Sequence, residues 1–296
     1  MLLIIIYMIF SLWLYKTNPI CRLCIKSWLK LYSDVVIYVD LEDYDDFFDD
    51  IEVELRDYKE ILNIPIKNLL QFTDYFRFKR LLEQGGTWLD ADMYLLRELP
   101  QNDIIISTER TNQSGAYKNS IKEIANIGVL RFPIDDPLLQ YVVSKIETSK
   151  SKSEKIQKNM FLFQKAIHKN PTFAEYKNHL FDAEVFCPIN WDCVKETYYD
   201  IPFKSKYNKE FTSKQDILDM SIGVHLWENL SLNKHQIDFK NIHPLSTFQK
   251  LKDRLEDTYI KDTYTICIPS YRRKELLHSS TLNILFNNKI KKEIIV

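Results

Sequence analysis

The chain has little glycine, almost no net charge and no cysteine framework. Only 5 of its 296 residues are glycine, against 17 tyrosines and 17 phenylalanines, so the sequence predicts a stiff, aromatic-rich chain. The formal net charge is −1 and the pI is near 6.6, which gives no electrostatic footprint for nucleic-acid binding. Because 45% of the residues are hydrophobic, a chain of this length can bury the core of one large domain or two.

The cysteines form no disulfide pattern. There are five of them, at Cys21, Cys24, Cys187, Cys193 and Cys267. The first two have the spacing of half a zinc site, but the chain has no second Cys-x-x-Cys. We therefore expect reduced, mostly buried thiols and a cytoplasmic protein.

Long apolar runs are also scarce, and residues 1–15 are the main exception. This run has no positively charged start and no small-residue cleavage site, and it is shorter than the roughly 20 residues that a membrane span needs. It predicts a buried first strand, with Ile4–Phe10 as its centre. The alternative interpretation is a secretory-pathway membrane anchor formed by residues 1–15.

Short apolar segments alternate with helical patterns along the first half of the chain. Residues 35–39 and 103–107 predict strands, residues 58–70 and those after Asp136 predict helices, and the acidic run 40–50 predicts a solvated loop. A further strand is predicted to end at Phe186. This alternation is typical of an α/β fold, whose mostly parallel sheet has helices on both faces and binds ligands beyond the carboxyl ends of its strands.

Two acidic residues stand at the end of a predicted core strand. Residues 73–84 have helical spacing with Thr73 available as the N-cap, Gly85 ends that helix, and residues 87–89 form a short strand. In an extended segment Asp90 and Asp92 point the same way, so both carboxylates can face one site. A hard divalent ion such as Mg²⁺ or Mn²⁺ would offset their repulsion.

A basic and an acidic side chain accompany the pair on the preceding helix. Asp74 and Arg77 are three residues apart and therefore share one helix face. The arginine can hold a diphosphate or balance the two acids.

The whole stretch resembles the DXD sugar-binding glycosyltransferases, a family-thirty-two-like group related to mannosyl-, galactosyl- and toxin-type glucosyltransferases. Their hallmark is S-D-x-x-R-Y followed by G-G-x-Y-x-D-x-D. This chain reads Thr73-Asp74-Tyr75-Phe76-Arg77-Phe78 and then Gly85-Gly86-Thr87-Trp88-Leu89-Asp90-Ala91-Asp92. The departures at 73, 78 and 88 remove no charged group. The opening strand, the Ser27-Trp28 helix and the segment Ile222–Asn229, similar to the family's A-x-H-x-W motif, extend the resemblance to about residues 3–235.

The resemblance implies a GT-A-like, Rossmann-related fold and a set of site residues. Mn²⁺ or Mg²⁺ would be held by Asp92 and His225 together with Asp90. The implied catalytic residues are Asp74, Arg77, Asp90 and Asp92. The implied contacts to the nucleotide-sugar donor are Asp74, Arg77, Asp90, Asn126 and His225. A turn asparagine at 126 and a structural histidine at 225 are the alternatives, and Trp227 is expected to pack beneath the site.

The implied activity is metal-dependent transfer of a sugar, with retention of configuration. A UDP-sugar is the commoner donor in the family, and the acceptor would be a glycan, a lipid or a protein. A haloacid-dehalogenase-like phosphatase also uses D-x-D, but it needs Thr or Val where Tyr94 stands. A catalytically inactive, transferase-like binding domain is the third interpretation.

The end of the chain differs from the rest. We predict a catalytic domain over residues 1–250, a linker over 251–261, and a fragment over 262–296. Within this fragment, Tyr264–Arg273 resembles the V-x-I-P-x-Y-N-R start of family-two-like glycosyltransferases. About 35 residues cannot bury a sheet alone. The fragment therefore docks on the first domain, stays loosely ordered, or begins a second domain, which is the interpretation we favour.

Overall fold

The computed structural model describes residues 8–14, 18–44, 46–112, 121–148, 159–201 and 214–261. A six-stranded sheet forms its centre, with the strands in the spatial order β3-β2-β1-β4-β7-β6. Its strands are β1 (Ile9–Leu12), β2 (Val35–Val39), β3 (Glu54–Asp57), β4 (Gly86–Leu89), β6 (Ile105–Asn112) and β7 (Ile121–Phe132). A separate two-stranded sheet pairs β5 (Met93–Leu95) with β8 (Gly223–His225).

Three of the five pairings in the large sheet are parallel. β1 pairs in parallel with β2 and β4, and β2 pairs in parallel with β3, whereas β7 is antiparallel to both β4 and β6. The carboxyl ends of β1, β2, β3 and β4 therefore meet at one edge. The predicted mostly parallel α/β sheet is confirmed.

Helices cover both faces of this sheet. They are α1 (Pro19–Leu29), α2 (Leu69–Gln84), α3 (Pro137–Thr148), α4 (Asn159–Lys169), α5 (Ala183–Phe186), α6 (Val194–Tyr198), α7 (Lys214–Met220) and α8 (Thr247–Lys261). One core lies under α2, α3 and α4, and the other lies under α1 and α5 to α8. Alternate residues of β1 and β2 enter opposite cores, as the two-residue period of a strand requires.

The first strand is buried at the centre of the sheet. Phe10 is fully buried, and its ring lies 5.7 Å from that of Trp88 and 6.4 Å from that of Tyr38. The buried guanidinium of Arg80 lies 4.2 Å from the Phe10 ring, and its Nε donates to the Tyr38 hydroxyl at 2.9 Å. The predicted buried strand is confirmed over Ile9–Leu12, while residues 1–7 lie outside the described residues. Within the described ranges, no helix is long and apolar enough to cross a membrane.

The start of α2 differs from the prediction. Asn68 is the N-cap, and its Oδ1 accepts from the backbone N–H of Gln71 at 3.1 Å. Thr73 is not the cap, because it lies inside the helix, where its hydroxyl donates to the carbonyl of Leu70. Gly85 ends α2 with a φ of +60°, as its position predicts.

Two other predicted elements are wrong. The helix predicted over 58–70 is instead a 3₁₀ turn, Tyr58–Glu60, followed by irregular chain through Pro65, because proline interrupts the helical ladder. The strand predicted to end at Phe186 is the short helix α5. The helix after Asp136 is confirmed, with Asp136 Oδ1 accepting from the N–H of Leu138 at 2.9 Å.

Buried thiols and the last helix complete the described unit. Cys21, Cys24, Cys187 and Cys193 are free and buried, as predicted, and Cys267 lies outside the described residues. Where the sequence indicates a linker from residue 251, α8 packs Leu251 and Leu255 into the core of the first domain. The division into two domains depends on residues 262–296, which lie outside the described residues, and it stays a prediction.

We expect Phe10→Ala to lower the free energy of unfolding by about 3–5 kcal/mol, because it empties the space between the Tyr38 and Trp88 rings. Phe161→Ala is the matched control, since its side chain is 50% exposed, and it should change stability by less than about 1 kcal/mol. Urea unfolding measures both. Equal effects of the two variants would show that β1 is not the centre of the core.

We also expect deletion of residues 262–296 to leave the melting temperature of the first domain unchanged. Deletion of residues 247–296 is the matched control, and it should unfold the protein because it also removes Leu251 and Leu255 of α8. Calorimetry on both truncations measures this. A large fall with the shorter deletion would place the last 35 residues in the core of the first domain.

Candidate active site

The carboxyl end of β4 makes a tight turn that carries both acids of the D-x-D triplet. The N–H of Asp90 donates to the carbonyl of Gly128 at 2.8 Å, and the N–H of Met93 donates to the carbonyl of Asp90 at 2.8 Å. The segment is therefore not extended, as the sequence indicated, but turns between β4 and β5. The two carboxylates converge because of this turn, not because of strand alternation.

Asp92 is held in place by the strand that returns near the end of the domain. Pairing of Met93 with His225 brings β8 beside the triplet. Asp92 Oδ1 lies 3.1 Å from His225 Nε2, and Asp92 Oδ2 accepts from the N–H of Glu228 at 2.7 Å. Ligand atoms of Asp90, Asp92 and His225 all lie within 4.8 Å of one another.

The imidazole of His225 is enclosed on every side. Its ring stacks on that of Trp227 with centroids 4.0 Å apart, and its Nδ1 lies 3.9 Å from the sulfur of Cys187. Burial lowers the pKa of His225, but the charge and hydrogen bond of Asp92 outweigh burial and raise the pKa well above its ordinary value. Burial likewise raises the pKa of Asp92, but the interaction with His225 outweighs it, and the net pKa is lowered.

Arg77 connects the acid pair to α2. Its Nη1 donates to the carbonyl of Ile127 at 2.6 Å and lies 3.0 Å from Asp90 Oδ1, while its Nη2 lies 3.7 Å from Asp74 Oδ1. The guanidinium also lies 4.6 Å from the ring of Trp88, whose indole N–H donates to the same Asp90 oxygen at 2.8 Å. Arg77 and Asp74 are both buried, so the sequence was right to place them on one helix face.

A bulge in β7 forms the opposite wall. The pairing of β6 with β7 shifts register after Ile106, and residues 126–129 of β7 bulge toward the site. Asn126 Oδ1 accepts from the N–H of Gly128 at 2.6 Å, and its Nδ2 donates to Glu109 at 2.8 Å. A Cβ at position 128 would lie 2.8 Å from Asn126 Oδ1 and 3.3 Å from Asp90 Oδ2, so a side chain there would fill the site.

Two carboxyls at the site were not found from the sequence. Glu228 Oε1 accepts from Asn18 Nδ2 at 3.0 Å, and burial, helped by the charge of Asp92, raises its pKa to about 7. Its position three residues after His225 in the A-x-H-x-W-like segment was an available signal. The sequence contains no such signal for Glu109, because only the register of β6 against the bulged β7 brings that residue to the site.

A cavity of about 520 Å³ lies between α1 and α8. Asn18 borders it and also binds Glu228, so the cavity adjoins the site through this hydrogen bond. Its walls combine apolar and basic side chains, which include Leu23, Phe47, Phe248, Arg22, Lys26 and Lys252.

Comparison with known proteins finds a family match in one part of the chain. Residues 20–111, which include the acid pair, Asp74 and Arg77, match the family described as "Glycosyltransferase sugar-binding region containing DXD motif". This chain therefore carries a region similar to the DXD glycosyltransferases. No curated protein matches it.

Some solved structures that are similar to this chain are described as glycosyltransferases. PaToxG glycosyltransferase is 16% identical, with a TM-score of 0.40 over 58% of this chain and 72% of that one. The glycosyltransferase GlyE of Streptococcus pneumoniae TIGR4 is 14% identical, with a TM-score of 0.41 over 86% of this chain and 64% of that one. The resemblance rests on the family match over residues 20–111 and not on these remote similarities.

Removal of Arg77 should lower the stability of the protein. Arg77→Ala leaves Asp74 and Asp90 without their shared cation, and we expect a loss of about 3–5 kcal/mol in the free energy of unfolding. Lys79→Ala, on the same helix, breaks only more exposed ion pairs with Glu83 and Glu147 and should cost less than about 1 kcal/mol. Equal losses, measured by urea unfolding, would contradict this account of Arg77.

Proposed function

We propose that this glycosyltransferase moves a sugar from a nucleotide-sugar donor in a reaction that depends on a divalent metal. The observation that carries the proposal is the convergence of Asp90, Asp92 and His225, with Arg77 beside them. Two carboxylates and an imidazole form a donor set that suits Mn²⁺, and Mg²⁺ fits the carboxylates. Arg77 adds a fixed positive charge at the same place.

Asp92 and His225 would hold the metal, with Asp90 as the third ligand. When bound, the metal would offset the negative charge that develops on the departing diphosphate. His225 would bind through Nε2, the nitrogen that lies beside Asp92. The stack on Trp227 supports a fixed ring orientation, which a ligand histidine requires.

Arg77 and Asp74 would bind the donor from the α2 side. The guanidinium is held between Ile127, Asp90 and Trp88, and it would orient the diphosphate, while Asp74 would accept hydrogen bonds from sugar hydroxyls. Asp90 would share that role at the ribose or the sugar. The nitrogen and the oxygen of the Asn126 amide both form hydrogen bonds, to Glu109 and to the N–H of Gly128. We therefore propose that Asn126 holds these neighbours in place.

The finer parts of the proposal come from the family resemblance. We propose a UDP-sugar as donor, retention of configuration, and a glycan, lipid or protein as acceptor. The four buried, free cysteines support a reducing compartment, and hence a cytoplasmic location. Residues 262–296 would begin a second transferase domain.

Metal binding gives the direct test. Titration with Mn²⁺ should show one tight site in the wild type, no binding in Asp92→Ala or His225→Ala, and weakened binding in Asp90→Ala, because the first two remove the paired ligands. Asp43→Ala, at an exposed loop acid, is the control and should bind as the wild type does. Unchanged affinity in Asp92→Ala would contradict the metal assignment.

Turnover then separates the three interpretations. Mn²⁺-dependent hydrolysis of UDP-sugars, lost in Asp92→Ala, is expected of the transferase. A phosphatase would instead cleave simple phosphomonoesters, and a binding domain would turn over neither class of compound.

A further inference from the structure

Glu109 is a half-buried carboxylate at the site. It is neither a candidate metal ligand nor one of the residues proposed to contact the diphosphate. It lies on β6, and its Oε2 accepts from Asn126 Nδ2 at 2.8 Å. Among the described residues it forms no ion pair with a lysine or arginine, and its second oxygen has no hydrogen-bond partner. The neighbouring Arg110 is directed elsewhere, to Glu123 and Glu184. Burial of a carboxylate without such a partner is costly, so the position of Glu109 calls for an explanation.

Glu109 borders the same space as the three candidate metal ligands. Its anchor Asn126 lies next to Gly128, and a Cβ at that glycine would also be 3.3 Å from Asp90 Oδ2 and 3.6 Å from His225 Cε1. The charges of Glu109 and His225 interact, and burial raises the pKa of Glu109. Because residue 128 is a glycine, no side chain stands between the Glu109–Asn126 pair and the D-x-D turn.

The charges on the two sides of this space differ. Arg77 contacts Asp90 from the α2 side, whereas on the β6–β7 side Glu109 has no lysine or arginine partner in the part of the chain that the structure describes. A diphosphate is attracted to Arg77 and to a metal and is repelled by Glu109. The part of a donor that a carboxylate favours is one rich in hydroxyl donors and free of negative charge.

We propose that Glu109 binds the hydroxyl groups of the transferred sugar, with Asn126 as the residue that positions its carboxylate. This inference rests on the proposed function. The free Glu109 oxygen accepts from one hydroxyl, and the oxygen that Asn126 holds has a second lone pair for another. Glu109 is therefore a specificity residue for the sugar part of the donor, while the metal ligands and Arg77 act on its diphosphate.

The test compares binding of a nucleotide sugar with binding of its nucleoside diphosphate. With Mn²⁺ present, calorimetry on the full chain measures UDP, GDP and their glucose, galactose, N-acetylglucosamine and mannose derivatives. In Glu109→Gln, which preserves shape, we expect UDP or GDP affinity to stay within about 2-fold. Affinity for the preferred sugar derivative should fall by about 10- to 150-fold, because a hydrogen bond to a charged acceptor is lost.

Two further variants test the same proposal. Glu109→Asp keeps the charge on a shorter chain and should change the order of preference among the sugars. Glu98→Gln, at an exposed position, should bind every ligand as the wild type does.

Several outcomes would overturn the inference. Equal losses for the diphosphate and its sugar derivative in Glu109→Gln would show a merely structural role. Unchanged affinity with slower turnover would place Glu109 at the acceptor instead. Failure of the wild type to bind either diphosphate with Mn²⁺ would remove the proposed function, and this inference with it.

Discussion

The balance of charge around the D-x-D turn is the constraint on which the rest of the site depends. Asp74, Asp90 and Asp92 approach one another in a partly dehydrated space, where like charges repel strongly. Arg77 and His225 offset this repulsion from two sides. Each cation belongs to a different part of the chain, so the acids are in place only when the whole domain is folded.

The backbone pairing of β5 with β8 places the second cation, His225, beside Asp92. Asp92 and His225 are 133 positions apart, and the register of Met93 against His225 places their side chains together. The Ser27-Trp28 pair of α1 supports β5 from behind. The hydroxyl of Ser27 accepts from the N–H of Leu95, and the indole of Trp28 donates to the carbonyl of Met93. Ser27 and Trp28, which resemble a family motif, thus have a structural role. They hold β5 next to the acids.

The bulged β7 divides the site into two walls of unlike chemistry. On the α2 side the arginine is locked by a carbonyl, a carboxylate and an indole, which is a rigid arrangement for an anion. On the β6 side the Asn126 amide holds the Glu109 carboxylate, which has no lysine or arginine partner among the described residues. Because residue 128 is a glycine, no side chain stands between these walls. A donor with an anionic and a hydroxyl-rich part matches this division.

The sequence by itself determined the mostly parallel sheet, the strands at 35–39 and 87–89, and the shared helix face of Asp74 and Arg77, because these features follow from local spacing and burial. It also named His225, through a motif, without a reason why that residue should lie beside Asp92. The tertiary structure alone decided the cap at Asn68, the turn that replaces an extended D-x-D, and the presence of Glu109 at the site. Those features depend on competing caps, on chain reversal and on strand register, which are set by contacts between distant residues and leave no local pattern.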